Sequence, residues 1–154
     1  MSNQNNIDDD DNTLVEDYKT TTTVTMNFKN SVFDIAKKML AENISSIPIT
    51  DEEGEIIGIL TERDMIKVIA NELLPGDISA MSLMSFPTVT VKRKAPIEEA
   101  AKIMATKKLR HLIVEDTYGT RVVGIITVTD LARYLKEKSK TEELSAFEVW
   151  ELFF

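Results

Sequence analysis

The chain repeats itself, and that repeat limits what it can fold into more than any other feature. Thr23-Val24-Thr25 recurs as Thr88-Val89-Thr90, an offset of 65 residues. The same offset pairs Ala36 with Ala101, Lys37 with Lys102, Met39 with Met104, Asp51 with Asp116 and Gly54 with Gly119. One inserted residue then moves the register to 66, pairing Gly58-Ile59 with Gly124-Ile125, Thr61 with Thr127 and Asp64 with Asp130. Conservative matches (Val32 with Ile97, Asp34 with Glu99, Ile44 with Leu109, Ile57 with Val123) fill the gaps. A register held this long with a single slip means two copies of one supersecondary unit. Such a unit has too little interior to stand alone. The copies must pack on each other, and two related clefts form where they meet.

Each copy reads as strand, helix, strand, strand, helix. Thr22 to Met26 alternates and is β-branched, which predicts a strand. Ser31 can cap a helix whose apolar positions are Val32, Ile35, Ala36, Met39 and Leu40. In the second copy Pro96 stands where a first-turn proline is tolerated, before the stripe Ile97, Ala100, Ala101, Met104. Strands follow at Ser46 to Thr50 and Glu55 to Leu60, with a turn at Asp51-Glu52-Glu53-Gly54 between them and a helix from Thr61 to about Ala70. The second copy repeats this as Leu112 to Val114, Val122 to Ile126 and Thr127 to Lys138, and Asn71 to Ser79 links the halves. The expected fold is α+β: two pseudo-twofold-related β-α-β-β-α repeats packed through their sheets, plus a C-terminal helix. The expected divisions are an acidic disordered tail over 1–13, repeats over 14–75 and 76–138, and an apolar helix over 139–154.

The formal charge of −8 sits at the ends. Residues 1–17 hold six acids and no base, residues 139–154 hold four acids against Lys140, and the body between is close to neutral. A duplex-binding protein carries a clear basic excess, so nucleic acid is not favoured. The chain has no cysteine and one histidine, His111, which excludes disulfides, thiolate chemistry and a two-histidine metal site within one chain. No apolar run approaches the roughly 18 residues that span a bilayer, and the N-terminus does not resemble a secretory signal, so cytoplasm is the expected compartment. No paired carboxylates, nucleophile–base set or metal cluster recurs with catalytic spacing. A binding module is expected rather than an enzyme.

Thr61-x-x-Asp64 and Thr127-x-x-Asp130 each follow a buried strand and open a helix. Two readings are open for them. Threonine with an acid three residues on is close to a capping box, worth on the order of 1 kcal/mol for each cap. A helix N-terminus also offers free N–H groups to a phosphate, and an aspartate can accept from two vicinal ribose hydroxyls. Lys107, Lys108, Arg110 and His111 form a basic cluster around a predicted strand. The two lysines suit a helix C-terminus. Arg110 can grip phosphate with paired donors. His111 is either a hydrogen-bonded, partly buried side chain or a ligand contact, and Arg63 either a phosphate contact or one half of a surface ion pair.

The ordered series resembles the cystathionine β-synthase (CBS) domain as a tandem pair, the Bateman module. It is carried by Ser46-Ile47-Pro48-Ile49-Thr50-Asp51, Gly54 and Gly58-Ile59-Leu60-Thr61-Glu62-Arg63-Asp64, and again by Arg110-His111-Leu112-Ile113-Val114 and Gly124-Ile125-Ile126-Thr127-Val128-Thr129-Asp130. The resemblance spans roughly residues 14–138. It implies a regulatory module that binds AMP, ADP, ATP or S-adenosylmethionine between the repeats, stacks into homodimers and signals to a separate effector. It makes Asp64 and Asp130 ribose ligands, with Thr61 and Thr127 beside ribose or phosphate. Around the base it places Thr23, Val24, Thr88, Val89, Ser46, Ile47, Pro48, His111, Leu112 and Ile113. Val24, Val89, Ile47 and Leu112 read equally well as core.

The copies differ where it matters. Pro48 and Arg63 face Ile113 and Thr129, Arg110-His111 faces Ser45-Ser46, and Lys19 takes the place of Met84. Two unequal clefts follow, with the occupied one left open. The alternative function is a structural or dimerisation module without nucleotide. Thr141 to Phe154, with Leu144, Phe147, Val149, Trp150, Leu152, Phe153 and Phe154, is too apolar to lie free in water. It either folds back over its own module or packs on a second subunit or effector, and a homodimer with this helix in the contact is expected.

Overall fold

Short-range chemistry sets the helices. Ser31 Oγ accepts from the Asp34 amide and opens α2 (Val32–Glu42), which ends where Asn43 turns left-handed at φ 52°. Lys108 does the same at φ 54° for α5 (Ile97–Lys107), whose N-cap is Pro96. The computed structural model describes residues 12–21, 24–119 and 121–139. The remaining elements are α1 (Val15–Tyr18), β1 (Met26–Asn27), β2 (Ser46–Thr50), β3 (Ile56–Thr61), α3 (Glu62–Ala70), α4 (Ala80–Leu83), β4 (Thr90–Lys92), β5 (His111–Glu115), β6 (Val122–Thr127) and α6 (Val128–Lys138).

They form two lobes, each a three-stranded sheet: β1-β2-β3 in lobe 1 and β4-β5-β6 in lobe 2. In each, the first strand pairs parallel with the second, and the second antiparallel with the third. Asp51 Oδ1 accepts from the Glu53 and Glu55 amides and closes the β2–β3 turn, where Gly54 takes φ 88°. The helices cover one face of each sheet. Ile47, Ile49 and Leu60 pack there with Ile35 and Met39, and Leu112, Val114 and Ile126 with Ile97 and Met104. Side chains alternate along a strand, so Pro48 and Ile113 point away from their own helices. Both are fully or almost fully buried, which places the second face of each sheet against the other lobe.

Two expectations are corrected. Of the strand read over 22–26, Thr22 and Thr23 lie outside the described residues, Val24 and Thr25 are not in a strand, and β1 begins at Met26, as its counterpart begins at Thr90. Thr20 and Ser85, further upstream, pair with the other lobe. Thr20 exchanges backbone hydrogen bonds with Ile125 (2.8 and 3.0 Å), and Ser85 exchanges them with Ile59 (2.9 and 3.1 Å). Leu40, read as part of the buried stripe, is 83% exposed. It lies about 100° around the helix from the Val32–Ile35–Met39 seam, beyond the sheet.

The crossing is reciprocal. The arm through α1 docks on lobe 2: the Val15 amide donates to Ala95 O, the Ile97 amide to Thr13 O, and Val15 joins the lobe 2 core. The equivalent stretch through α4 docks on lobe 1: the Val32 amide donates to Ile78 O, the Ala80 amide to Asn30 O, and Ala80 joins the lobe 1 core. The two repeats in sequence are therefore laced together in space. The acidic tail up to Asp11 and the C-terminal apolar segment from Lys140 lie outside the described residues. No helix among the described residues is long and apolar enough to cross a membrane.

Candidate ligand-binding clefts

The first amide of α3, at Glu62, donates to Ser45 O at 3.0 Å, and the first amide of α6, at Val128, to Arg110 O at 3.0 Å. Each Thr-x-x-Asp helix start is thereby anchored beside the beginning of β2 or β5. The two strand beginnings meet: Ser45 Oγ lies 3.0 Å from His111 Nε2. This contact joins lobe 1 to lobe 2 at the middle of the molecule.

Asp64 and Asp130 are buried, 3% and 5% exposed. Asp64 Oδ2 accepts from the Thr61 amide and hydroxyl, both at 2.9 Å. Asp130 Oδ2 accepts from the Thr127 amide at 2.8 Å and hydroxyl at 2.9 Å. The Asp130 amide donates back to Thr127 Oγ1 at 3.3 Å, completing a capping box. One oxygen of each carboxylate is thus committed to the cap. The other oxygen meets one cation three residues on: Lys67 Nζ at 2.7 Å from Asp64, and Arg133 Nη2 at 3.2 Å from Asp130. A carboxylate offers about four lone-pair sites, so each aspartate keeps acceptor capacity on its outer oxygen.

Lys67 and Arg133 were not singled out from the sequence. The signal existed, since both are basic and match at the offset of 66. Ser45 was likewise missed as a contact of His111. The His111 imidazole is held below its ordinary pKa of 6.5, first by burial and then by the neighbouring Arg110 charge, against an opposing pull from Glu62, Asp130 and Asp64.

The expected site residues divide into groups. Thr61, Asp64, Thr127, Asp130, Ser46 and His111 come together around the strand beginnings and helix starts, with Pro48 and Ile113 on the inter-lobe faces of the strands. Ile47 and Leu112 turn their side chains into the lobe cores, where only their backbone could serve a ligand. Val24 and Val89 are half-buried against those cores, and the Val89 carbonyl accepts from the Ile113 amide at 3.2 Å. Thr88 is half-buried, Arg63 and Arg110 are exposed, and Thr23 lies outside the described residues. A cavity of about 500 Å³ on lobe 1 is lined by Ala36, Met39, Leu40, Asn43, Ile44, Ser45, Glu62 and Met65. It shares Ser45 with the central contact but includes neither Thr61 nor Asp64.

Comparison with known proteins agrees with this geometry. The sequence profile of the CBS domain matches twice, over residues 15–71 and 77–137. The protein MK0525 of Methanopyrus kandleri is 39% identical over 99 residues, covering 64% of this chain and 50% of that protein. L-aspartate semialdehyde sulfurtransferase of Methanocaldococcus jannaschii is 31% identical over 121 residues, 79% of this chain and 23% of the enzyme. The chain thus spans half or less of these relatives. Among solved structures, the CBS domain pair of protein MJ0100, in complex with 5′-methylthioadenosine and S-adenosyl-L-methionine, superposes with a TM-score of 0.74 at 30% identity, covering 82% of this chain and 98% of that one.

Proposed function

This chain belongs to the CBS domain family, and we propose that it is a regulatory module that senses an adenosine-containing molecule between its lobes and signals to a partner protein. In sequence, its units are the repeats over 14–75 and 76–138. The observation that carries the reading is the pair of buried aspartates. Each has one oxygen used by its own helix cap and an outer oxygen met by a single cation, which leaves acceptor capacity there for ribose hydroxyls. Support also comes from the MJ0100 pair, whose ligands are both adenosine derivatives. S-adenosylmethionine and 5′-methylthioadenosine are therefore the first ligands to try, with AMP, ADP and ATP beside them. Thr61 and Thr127 stand next to ribose or phosphate, Arg110 and Arg63 are the phosphate donors to test, and Pro48 and Ile113 give apolar walls for a purine.

A thermal-shift panel with these five ligands tests the reading, since a ligand at 100 times its dissociation constant stabilises by about 2.7 kcal/mol. Calorimetry on Asp64→Ala and Asp130→Ala then assigns the clefts. Loss of a charge-assisted hydrogen bond should cost about 1.5–3 kcal/mol of binding. Unchanged affinity in both variants rejects the ribose role.

A second reading, a structural module without ligand, is favoured by the capping boxes, which already give both aspartates a use. No response to any of the five ligands selects it. Under either reading we propose a homodimer. Leu40, Ile66 and Ile69 stand exposed on α2 and α3 of lobe 1, whereas their lobe 2 counterparts are Ala105, Ala132 and the half-buried Leu135. Among the described residues this apolar set is found on lobe 1 and not on lobe 2, which suits a symmetric contact of lobe 1 with lobe 1. Light scattering on Leu40→Lys over a dilution series decides this: the variant should be monomeric where the native chain is dimeric.

A further inference from the structure

Arg133 does something its counterpart Lys67 does not. Arg133 Nη2 donates to Asp130 Oδ1 at 3.2 Å and also to the backbone carbonyl of Tyr18 at 2.9 Å. Its guanidinium lies over the Tyr18 ring, 5.4 Å from the centroid. The Tyr18 hydroxyl reaches Glu137 one turn further along the same helix, and its ring meets Tyr134 edge-on at 5.5 Å. Tyr18 belongs to the arm that crosses from repeat 1 to lobe 2, and Thr20, two residues on, pairs with Ile125 just before Thr127. The arm therefore touches the strand that leads into the Asp130 helix start and, through Arg133, the carboxylate itself. In lobe 1 the residue matching Tyr18 is Leu83, with neither hydroxyl nor aromatic face to offer, and Lys67 bonds Asp64 among the described side chains.

We infer that Arg133 is a positioning residue that makes the N-terminal arm part of the Asp130 cleft, so that arm docking and ligand occupancy there favour each other. This rests on the adenosine-sensing reading above. The argument is one of hydrogen-bond capacity and linkage. Asp130 Oδ2 has both acceptor sites filled by Thr127, so a ribose must use Oδ1, the oxygen that Arg133 holds. Arg133 can set the direction of that oxygen because its planar guanidinium is held both at the Tyr18 carbonyl and over the Tyr18 ring, an arrangement that a lysine ammonium does not reproduce. With the arm docked, the carboxylate is preset and the edge of β6 is covered. With the arm off, both are lost. Coupling between two equilibria is reciprocal, so a ligand at Asp130 must hold the arm down to the same degree that the arm improves the ligand's affinity. Arg133 is about half-exposed, which puts the effect toward the lower end of common couplings, a five- to twentyfold change in affinity. Among the described residues Lys67 makes no bond to the 79–85 stretch, so the Asp64 cleft lacks this side-chain link. Its occupancy would leave the arm unchanged, giving the module one cleft that reports on its own N-terminal segment and one that does not.

Hydrogen exchange and calorimetry on the full-length chain test this, with S-adenosylmethionine and AMP as the probes. Binding should slow exchange of amides 14–20 and leave the matching stretch 79–85 less affected. Arg133→Ala should weaken binding five- to twentyfold and abolish the ligand-dependent protection of the arm. Arg133→Lys, which recreates the lobe 1 pairing, should not rescue that protection. Tyr18→Ala, which leaves Asp130 and Arg133 in place, should weaken binding as well. If a probe binds but arm exchange is unchanged, or if Arg133→Lys restores both affinity and protection, the coupling is wrong while the sensing function stands. If neither probe binds the native chain, the sensing reading falls and this inference with it.

Discussion

Ser45 Oγ and His111 Nε2 lie 3.0 Å apart, and the bond between them joins the two lobes through residues that do not match in the repeat. The counterpart of His111 is Ser46 and that of Ser45 is Arg110. A true twofold would have repeated this contact between the counterparts Arg110 and Ser46. The difference between the copies instead supplies one imidazole and one hydroxyl that fit together.

The imidazole makes stability depend on pH. Burial and Arg110 hold its folded pKa below the ordinary value of 6.5, so the unfolded chain binds the proton more readily. Stability then rises with pH where the unfolded state holds more protons. The chain should keep full stability from this group above about pH 7, lose it as pH falls through 6.5, and level off below the lowered value. Melting temperatures measured at successive pH values from 8 to 5 should show that decline, and His111→Gln, which keeps a partner for Ser45 without titrating, should flatten it. An unchanged slope in the variant would assign the decline to other groups.

Glycine at 58 and 124 is required by approach rather than by backbone angle. A methyl group at Gly124 would overlap the carbonyl oxygen of Thr20, part of the backbone of the crossing arm. At Gly58 a methyl group would overlap the Met84 side chain, whose Sδ is the nearest atom and whose Cγ stands at 2.9 Å, while the backbone oxygen of Ser85 stands further off at 3.2 Å. A methionine side chain can move, whereas a paired strand cannot move without breaking its ladder. Gly124→Ala should therefore cost about 2–3 kcal/mol and Gly58→Ala about 1 kcal/mol, within the range of overpacking. Urea unfolding of both variants measures the difference, and equal losses would contradict it.

The fold was legible because the repeat and the periodicity agree. Ser31, Val32, Ile35 and Met39 set α2, and the Asp51–Gly54 turn joins β2 to β3 as spacing predicts. The arms were not legible. α1 and α4 are single turns, and what fixes them is pairing with the opposite lobe, through Thr20 with Ile125 and Ser85 with Ile59, which no local window contains. Leu40 was misplaced because a generous apolar stripe does not say how wide the sheet beneath it is. At the site, Thr61-x-x-Asp64 and Thr127-x-x-Asp130 could be read directly. Arg133 could not, since its meaning depends on a carbonyl 115 residues earlier in the chain.

Lys108 ends α5 in the left-handed region at φ 54°, where a β-carbon is strained. Its counterpart Asn43 takes the same angle at φ 52° with a residue that tolerates it. Lys108→Gly should stabilise the chain by about 0.5–1 kcal/mol because it removes strain at an exposed helix end, whereas Asn43→Gly should change it by only a few tenths. Thermal melts of the two variants decide this, and destabilisation by Lys108→Gly would show that its side chain does more than cap.

The arm itself should come loose in acid. Glu16 Oε2 accepts from Arg93 Nε at 2.6 Å, and its other oxygen pairs with Lys94, so both bases of the β4–α5 turn grip the arm through one carboxylate. The hydrogen bond from Lys94, then that from Arg93, holds the Glu16 pKa below its ordinary value of 4.5. A depressed folded pKa contributes stability that is complete above the unfolded value and disappears as pH falls through the folded one. The loss of the Glu16 contribution is therefore confined below about pH 4.5, apart from the window in which His111 begins to act. Glu16→Gln should raise amide exchange over residues 14–20 at neutral pH while residues 79–85, the matching arm on lobe 1, stay as protected as before. In the native chain the same local increase should appear only below that pH, and added salt should mimic part of it by screening the half-exposed pairs. Equal exchange in variant and native chain at neutral pH would mean that the arm is held by Val15 in the lobe 2 core and by the Thr20–Ile125 pairing alone.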